Sequence, residues 1–437
     1  MTQGVICEYN PMHRGHEYMI GELRRGGADT VVCVMSGNFV QRGDVAILEK
    51  YSRAEAAVRS GADLVFELPF PWSSASAGYF ARAGVSILHA LGVRSIAFGS
   101  ESASLPLLRR AAEAATNADI EAAGGVPLSP APAPAAEAPR AHTEITESDC
   151  VVAAYEVANY KAPARGLRYS DNDISRGYAS EYYAKIAKQL GEDVPRLSPN
   201  DILGIEYIRA AAELGLGDEM EFMTIRREGA GFYDDDPTAK MPSATAMRAA
   251  IFRGEYPAGL TDPSVHVCKR AAEAGIAPAS LDNISTAVLY RFRRGGKELG
   301  KWAECGGGVS GRLMHAAMSA GSIPEMLSLA ATKKYTTSRL RRAIIFAMCG
   351  VLREDLSMLP AYTTLLASSE RGRAYLGETR KTRTIPVLVR PADAMALEGA
   401  GEIRQLELSR AAEALYSLTL PRPRAAEDFM RHSPICM

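Results

Sequence analysis

The chain has none of the segments that mark a secreted or membrane protein. Its seven cysteines are scattered along 437 residues, odd in number, and form no C-x-x-C pair, a usage that indicates reduced thiols rather than a disulfide framework. No basic segment followed by an apolar run opens the sequence, and no stretch approaches about eighteen uninterrupted apolar residues. We therefore expect a cytoplasmic protein without a membrane partner, and no pattern implies a stable protein partner.

A strong overall charge is also missing, since 50 Lys and Arg stand against 51 Asp and Glu. That balance argues against a protein that is basic throughout and binds nucleic acid with its whole surface. The charge is nevertheless uneven: residues 256–437 carry 25 basic and 17 acidic residues, and the rest carries 25 and 34. Either the carboxy-terminal part meets a polyanion, or the imbalance only reflects solvated helices.

Short apolar runs alternate with helical patterns through the first hundred residues. The predicted strands are Val5–Glu8, Thr30–Met35, Ala62–Leu68 and Val93–Phe98, and the predicted helices between them are His16–Arg25, Tyr51–Ser60 and Ser76–Leu91. This βαβ series predicts an α/β fold with a doubly wound parallel sheet, which binds ligands at the carboxyl ends of its strands. We assign residues 1–255 to this nucleotide-binding domain and residues 256–437 to a mainly helical, basic domain.

The most informative segment is the N-P-x-H-x-G-H turn that follows the first strand. Asn10 and Pro11 end the strand, Gly15 lets a ligand approach the backbone, and His13 and His16 share one side of the first helical turn. Two imidazoles beside unpaired amides at the positive end of a helix stabilise a polyphosphate. Two ordinary surface histidines or a zinc site are the alternatives, although no second ligand pair has usable spacing for zinc.

Two later segments carry polar groups that suit a phosphate. Asn38, Gln41 and Arg42 lie between glycines in the loop after the second strand, and we expect this loop to touch phosphate or RNA. Ser243 is a natural N-cap, and Thr245 and Arg248 face the same helix end, where hydroxyl, amide and guanidinium donors meet. Capping alone is the plainer explanation of the second segment. We predict that the histidine turn and this helix start bracket one triphosphate.

Residues 117–140 turn to Ala and Pro, which predicts a linker or mobile loop or an insertion. Helical patterning resumes at Asp173–Leu190. The Asn200–Asp201 pair follows a proline and, from the residues alone, either caps the next helix or has a function.

Basic residues of the carboxy-terminal part fall into two clusters. The first, Lys333, Lys334, Arg339 and Arg342, lies in a KKYTTSRLRR segment, and the second comprises Arg371, Arg373, Arg380, Lys381 and Arg383. Such side chains grip RNA phosphates without specifying a base. A solvated helix surface is the alternative for both clusters.

Seven segments in order, EYNPMHRGH, VMSGNFVQRGD, GADLVFELP, FGSE, SPNDILGIEY, SATAMR and KKYTTSRLRR, resemble the bacterial tRNA(Met) cytidine acetate ligases. The resemblance implies an enzyme that uses ATP to activate acetate as acetyl-adenylate and then acetylates N4 of the wobble cytidine of elongator tRNA(Met). Acetate and tRNA are then the partners, and Mg²⁺ accompanies ATP. The implied ATP contacts are Ile6, Cys7, Glu8, Tyr9, Asn10, Pro11, Met12, His13, Arg14, Gly15, His16, Glu17, Tyr18, Met19, Gly99, Asn200 and Arg227, the last depending on an alignment that leaves Arg226 open.

Three features depart from the resemblance: the Ala/Pro-rich insertion, Asp201 in place of a second asparagine, and Gly306-Gly307-Gly308 where a more helical, acidic sequence is expected. The expected chemistry needs no enzyme nucleophile, because acetate attacks the α-phosphorus and His13, His16 and Arg248 cancel the developing charge. A small-metabolite adenylyltransferase of the pantetheine-phosphate or nicotinate-nucleotide type is the alternative, and an RNA-binding protein with a vestigial nucleotide fold is a third. The basic carboxy-terminal part favours the ligase over the metabolite enzyme.

Overall fold

The computed structural model describes residues 1–122, 186, 190, 197–227, 243–332, 334–430 and 432–437. The strands are β1 Thr2–Cys7, β2 Thr30–Ser36, β3 Phe39–Val40, β4 Asp44–Val45, β5 Leu64–Leu68, β6 Ser95–Ser100, β7 Glu221–Arg226, β8 Thr363–Ser368, β9 Val387–Leu388 and β10 Ile435–Cys436. The helices are α1 Arg14–Arg25, α2 Lys50–Arg59, α3 Ala77–Ala90, α4 Leu105–Ala122, α5 Pro199–Glu213, α6 Ala244–Phe252, α7 Asp262–Glu273, α8 Ser285–Arg294, α9 Val309–Ser319, α10 Ile323–Ala330, α11 Thr337–Cys349, α12 Arg353–Ser357, α13 Glu370–Glu378, α14 Ala400–Ser417 and α15 Glu427–Met430.

A parallel sheet in the order β5-β2-β1-β6-β7 forms the centre of the fold, as the sequence predicts. β2 is buried at every position because helices cover both faces. The chain moves outward from β1 to β2 and β5, then crosses to β6 on the other side of β1. The reversal creates a crevice at the carboxyl ends of β1 and β6, the usual ligand position in such sheets.

Two apolar layers flank the sheet and a third core lies beyond it. Helices α3, α4 and α5 pack on one face, and α1, α2 and α7 pack on the other. Helices α8–α11 and α14 build the third core, which includes Phe39, Phe70 and Tyr79 from the sheet region. Phe39 follows β2, Phe70 follows β5, and Tyr79 lies in the first turn of α3. Helices α8–α11 and α14 therefore pack against the loops at the carboxyl ends of the strands.

The carboxy-terminal part also supplies strands, which the sequence reading did not predict. β8 pairs antiparallel with β5, and β9 and β10 pair with β8. The sheet thus extends across the boundary that we placed at residue 255.

The linker expected over residues 117–140 begins later than predicted, because α4 remains helical through Ala122. Residues 123–140 lie outside the described residues, as does the predicted helix 173–190 apart from Ile186 and Leu190, whose side chains join the α3–α5 core. None of the helices that the structure describes is long and apolar enough to cross a membrane.

Candidate active site

The histidine turn is held by a reciprocal pair of hydrogen bonds at the start of α1. His13 is the N-cap, and its Nδ1 accepts a hydrogen bond from the Gly15 amide at 3.1 Å. The Nδ1 of His16 accepts one from the His13 amide at 3.3 Å, and the two rings stack with centroids 3.6 Å apart. A neutral imidazole whose Nδ1 accepts carries its proton on Nε2. Both rings are therefore oriented as Nε2–H donors.

Burial and neighbouring arginines keep these imidazoles neutral. Burial, with the charges of Arg227 and Arg248, lowers the pKa of His13 to about 3. Burial, His13 and Arg227 hold the pKa of His16 well below its ordinary value. The two histidines therefore serve as neutral donors at physiological pH, and the positive charge of the site comes from the arginines.

The second predicted element reaches the first. Ser243 caps α6 by accepting from the Ala246 amide at 3.1 Å. The Arg248 guanidinium donates to the Asn10 carbonyl at 3.0 Å and to the Thr245 hydroxyl at 3.1 Å. The start of α6 and the histidine turn therefore lie on the same side of the sheet, in contact through Arg248, as one shared triphosphate requires.

The Arg227 side chain lies beside Gly99 of β6, whereas Arg226 pairs with Ser100 at the end of that strand. A Cβ on Gly99 would come within 3.1 Å of the Arg227 Cγ, so the glycine leaves room for this side chain. The Arg227 Nε lies 3.3 Å from Glu101 Oε1, which also accepts from Asn200 Nδ2 at 2.6 Å. Glu101 thus joins two predicted ATP contacts. The resemblance assigns no role to this glutamate of the FGSE segment.

Asp201 both caps α5 and ties it to β6. Its carboxylate accepts from the Ser100 hydroxyl at 2.5 Å, from the Ser102 hydroxyl at 2.9 Å and from the Ser198 amide at 3.2 Å. Ser198 is the N-cap, and Asp201 completes a capping box. The capping interpretation is therefore correct for Asp201, and the network fixes the position of the adjacent Asn200.

The remaining residues predicted in the first loop have different environments. Ile6, Tyr9, Asn10, Pro11 and Met12 are buried, Arg14 is exposed, and Cys7, Glu8, Glu17, Tyr18 and Met19 are half-buried. The Tyr9 hydroxyl contacts Cys33 Sγ at 3.4 Å, and the Met12 carbonyl accepts from Ser264 at 2.7 Å. The Arg14 Nε donates to the Ala258 carbonyl at 2.9 Å. Tyr9 and Met12 thus stabilise the turn from its buried side.

Arg53 was missed by the sequence reading. Its side chain is 1% exposed and donates to the carbonyls of Glu8 at 2.5 Å, Ser36 at 3.0 Å and Leu48 at 3.0 Å. This guanidinium joins the carboxyl ends of β1 and β2. Nothing local distinguishes it from an arginine on a solvated helix face.

The loop after β2 is partly structural. Asn38 is 4% exposed, donates to Glu413 at 2.8 Å and accepts from the Lys50 amide at 2.8 Å, so its side chain stabilises the fold, and the ligand contact expected of this loop stays a prediction. The Gln41 amide donates to Glu8 at 2.9 Å. Arg42 is exposed, and its charge helps to lower the pKa of Arg248, after the larger effect of burial. Only Arg42 of the three side chains is exposed to solvent near the site.

The first basic cluster is less exposed than predicted. Arg339 is 5% exposed and forms an ion pair with Glu304 at 3.3 Å, so it does not lie on an open helix surface, and its contact with RNA phosphate stays a prediction. Arg342 also pairs with Glu304, at 2.9 Å. Lys334 is exposed, and Lys333 lies outside the described residues. Of these four residues, Lys334 therefore best fits the predicted surface contact.

The second basic cluster lies at the amino ends of the strands, opposite the histidine turn. Arg371 donates to the carbonyl of Asp29, the residue before β2, at 3.1 Å. The histidine turn lies at the carboxyl ends of the strands and this cluster at their amino ends. Because the strands are five to seven residues long, the two are about 20 Å apart.

Among the described residues, no group of three or more His, Cys, Asp or Glu side chains could hold a metal ion.

Comparisons with known proteins agree with this geometry. A family model described as HIGH Nucleotidyl Transferase matches residues 1–126 and 145–429. The tRNA(Met) cytidine acetate ligase of Syntrophotalea carbinolica is 33% identical over 88% of this chain and 84% of its own length, and that of Thermotoga petrophila is 31% identical over 87% and 85%. The crystal structure of Thermotoga maritima TmcAL bound with alpha-thio ATP has a TM-score of 0.77 and 26% identity, covering 100% of this chain and 99% of that chain.

Proposed function

Since the chain belongs to the tRNA(Met) cytidine acetate ligase family of HIGH nucleotidyl transferases, we propose that it activates acetate with ATP and transfers the acetyl group to N4 of the wobble cytidine of elongator tRNA(Met). The observation that carries the proposal is the contact of Arg248 with the Asn10 carbonyl. That contact brings the start of α6 and the histidine turn around one space at the β1–β6 crevice.

Positive charge around this crevice favours ATP binding there. The triphosphate would lie between the positive end of α1, the positive end of α6 and the guanidinium groups of Arg227 and Arg248. The nucleoside would lie near Gly99 at the end of β6, where the Arg227 side chain packs. Glu101 holds Asn200 beside it, through a 2.6 Å hydrogen bond.

The first chemical step needs positioning and charge stabilisation. An acetate oxygen attacks the α-phosphorus, the bond from that phosphorus to the bridging oxygen breaks, and pyrophosphate leaves with the electron pair. His13 and His16 would donate Nε2–H to phosphate oxygens, and Arg248 would offset the charge on the leaving group. Hydrogen bonds to charged groups contribute about 1.5–3 kcal/mol each, so three of them supply several decades of rate.

Magnesium would be carried by the ATP phosphates and would neutralise part of their charge.

The second step places tRNA beside the same crevice. Asp44 and Arg341 form a 3.0 Å ion pair that joins the loop after β2 to α11. Arg42 and Arg341 both lie close enough to Arg248 to lower its pKa, after the larger effect of burial. Arg42 and Lys334 would contact RNA phosphates while the exocyclic amine of cytidine attacks the acetyl carbonyl and AMP leaves. We assign this contact to residues 256–437 together with the loop of Arg42.

Labelled acetate, ATP and bulk tRNA, followed by nuclease digestion, test the proposal. We expect label in acetylated cytidine only when ATP and tRNA are both present. Pyrophosphate exchange that needs a nucleotide or a phosphorylated metabolite, and not acetate, would favour a metabolite adenylyltransferase instead.

A further inference from the structure

The run Gly306-Gly307-Gly308 forms a left-handed turn before α9. Gly307 and Gly308 have φ values of +61° and +88°, and Gly308 is the N-cap of α9 without a side-chain hydrogen bond. A Cβ on Gly306 would lie 3.2 Å from Arg353 Nη2. The glycines therefore let the backbone turn sharply beside a guanidinium group.

A buried guanidinium with an unpaired donor lies beside this turn. The Arg339 side chain is 5% exposed, and within the described part of the chain its Nη1 has no hydrogen-bond partner. Its Nε lies 3.3 Å from Glu304 Oε2, in an ion pair without hydrogen-bond geometry. A buried donor left unpaired is costly, so such a group calls for a partner, such as a bound ion or water.

These groups line one small cavity. Its walls are Arg339, Arg353, Glu304, Gly306, Gly307 and Tyr79, and its volume is about 20 Å³. A space of that size holds one oxygen-sized group. Gly307 is exposed, so the remainder of a larger molecule can stay in solvent.

The charge of the cavity favours an anion. Two guanidinium groups, of Arg339 and Arg353, and the carboxylate of Glu304 are the charged groups among the residues that line it in the described part of the chain. Glu304 Oε1 accepts a hydrogen bond from Arg342 Nε at 2.9 Å. The positive end of α9, which spans eleven residues, adds to the field.

We propose that this turn, which we name the triglycine pocket (Gly306, Gly307, Gly308, Arg339 and Arg353), binds a phosphate oxyanion. The ligand chemistry is a tetrahedral oxyanion that inserts one oxygen beside Arg339. It is either a backbone phosphodiester of the tRNA, in which case the inference rests on the proposed function, or free inorganic phosphate.

Thermal unfolding with inorganic phosphate at constant ionic strength tests the site. Because phosphate also suits the ATP site, the measurement uses Arg248→Gln as the background. We expect phosphate to raise the Tm of this variant, and we expect Arg339→Gln or Arg353→Gln added to it to weaken phosphate binding at least tenfold. Arg353 is exposed, so its substitution tests the site even if Arg339→Gln impairs folding. Arg294→Gln, at an exposed arginine on α8, is the matched control. An equal phosphate-dependent Tm rise with and without these substitutions would overturn the proposal.

Binding of a labelled tRNA transcript separates the two sources. Several-fold weaker tRNA binding by Arg353→Gln, with a salt dependence reduced by about one phosphate contact, supports the phosphodiester. Unchanged tRNA binding together with lost phosphate binding supports free phosphate. Acetate-dependent ATP–pyrophosphate exchange without tRNA reports on the proposed function separately, because it does not involve the triglycine pocket.

Discussion

At the scale of single residues, Arg248 has the clearest part, because it contacts both halves of the site. We expect Arg248→Ala to reduce kcat/KM for acetate-dependent ATP–pyrophosphate exchange by about 10- to 150-fold, the equivalent of one charge-assisted contact. Arg253→Ala is the control, since that arginine follows the same helix, and its described contacts are with the exposed Glu255 and with the Ala249 carbonyl of that helix. Equal exchange rates for the two variants would remove Arg248 from the chemistry.

His13 gives a prediction about stability and pH. Its pKa is about 3 in the folded chain and has its ordinary value of about 6.5 after unfolding. Between these values only the unfolded chain binds the proton, so this residue destabilises the fold as pH falls below about 6.5. His13→Asn keeps an N-cap acceptor and removes the titration. We expect its Tm to fall less than that of the wild type between pH 7 and pH 5.

The measurement for His13 is thermal unfolding across that pH range. An identical loss of Tm in both proteins would mean that His13 titrates normally in the folded chain.

At the scale of elements, the docking of the β2 loop on α11 depends on Gly43. This glycine has a φ of +71°, and a Cβ on it would lie 2.5 Å from the Arg342 amide nitrogen. We expect Gly43→Ala to displace the loop and to reduce acetyl transfer to tRNA more than tRNA-independent exchange. Gly27→Ala is a matched control, because Gly27 has a φ of +87° and nothing within 4 Å. If Gly43→Ala and Gly27→Ala reduce acetyl transfer and exchange to the same extent, the loss comes from backbone strain and not from displacement of the loop.

The junction of β6 and α5 depends on Asp201. Asp201→Ala removes the acceptor of three serine groups, which we expect to lower the free energy of unfolding by about 1–3 kcal/mol and to raise the KM for ATP through Asn200. Asp201→Asn keeps one acceptor oxygen and should lose less. Denaturant unfolding and ATP titration of the exchange reaction measure the two effects, with exposed Asp218→Ala as the control. An unchanged KM in a destabilised variant would limit Asp201 to capping.

At the scale of the whole molecule, the sequence predicted what is encoded locally. Strand and helix alternation located the parallel sheet, and the two elements predicted to bind phosphate were recognised from their own residues. Pairing of β8 with β5 joins Leu64 to Ser368, far apart in the chain, so no local pattern specifies it. The burial of Arg53 and Arg339 could not be predicted for the same reason. Their partners come from other segments, and an arginine on a helix is ordinarily solvated.

The whole-molecule claim is that one ATP lies at the β1–β6 crevice between the histidine turn and the start of α6. A crystal structure with a non-hydrolysable ATP analogue tests it most directly. We predict triphosphate oxygens within hydrogen-bond distance of His13 or His16 Nε2 and of the Arg248 guanidinium in the same molecule. A nucleotide whose phosphates contact only one of these elements, or bind elsewhere, would contradict the account.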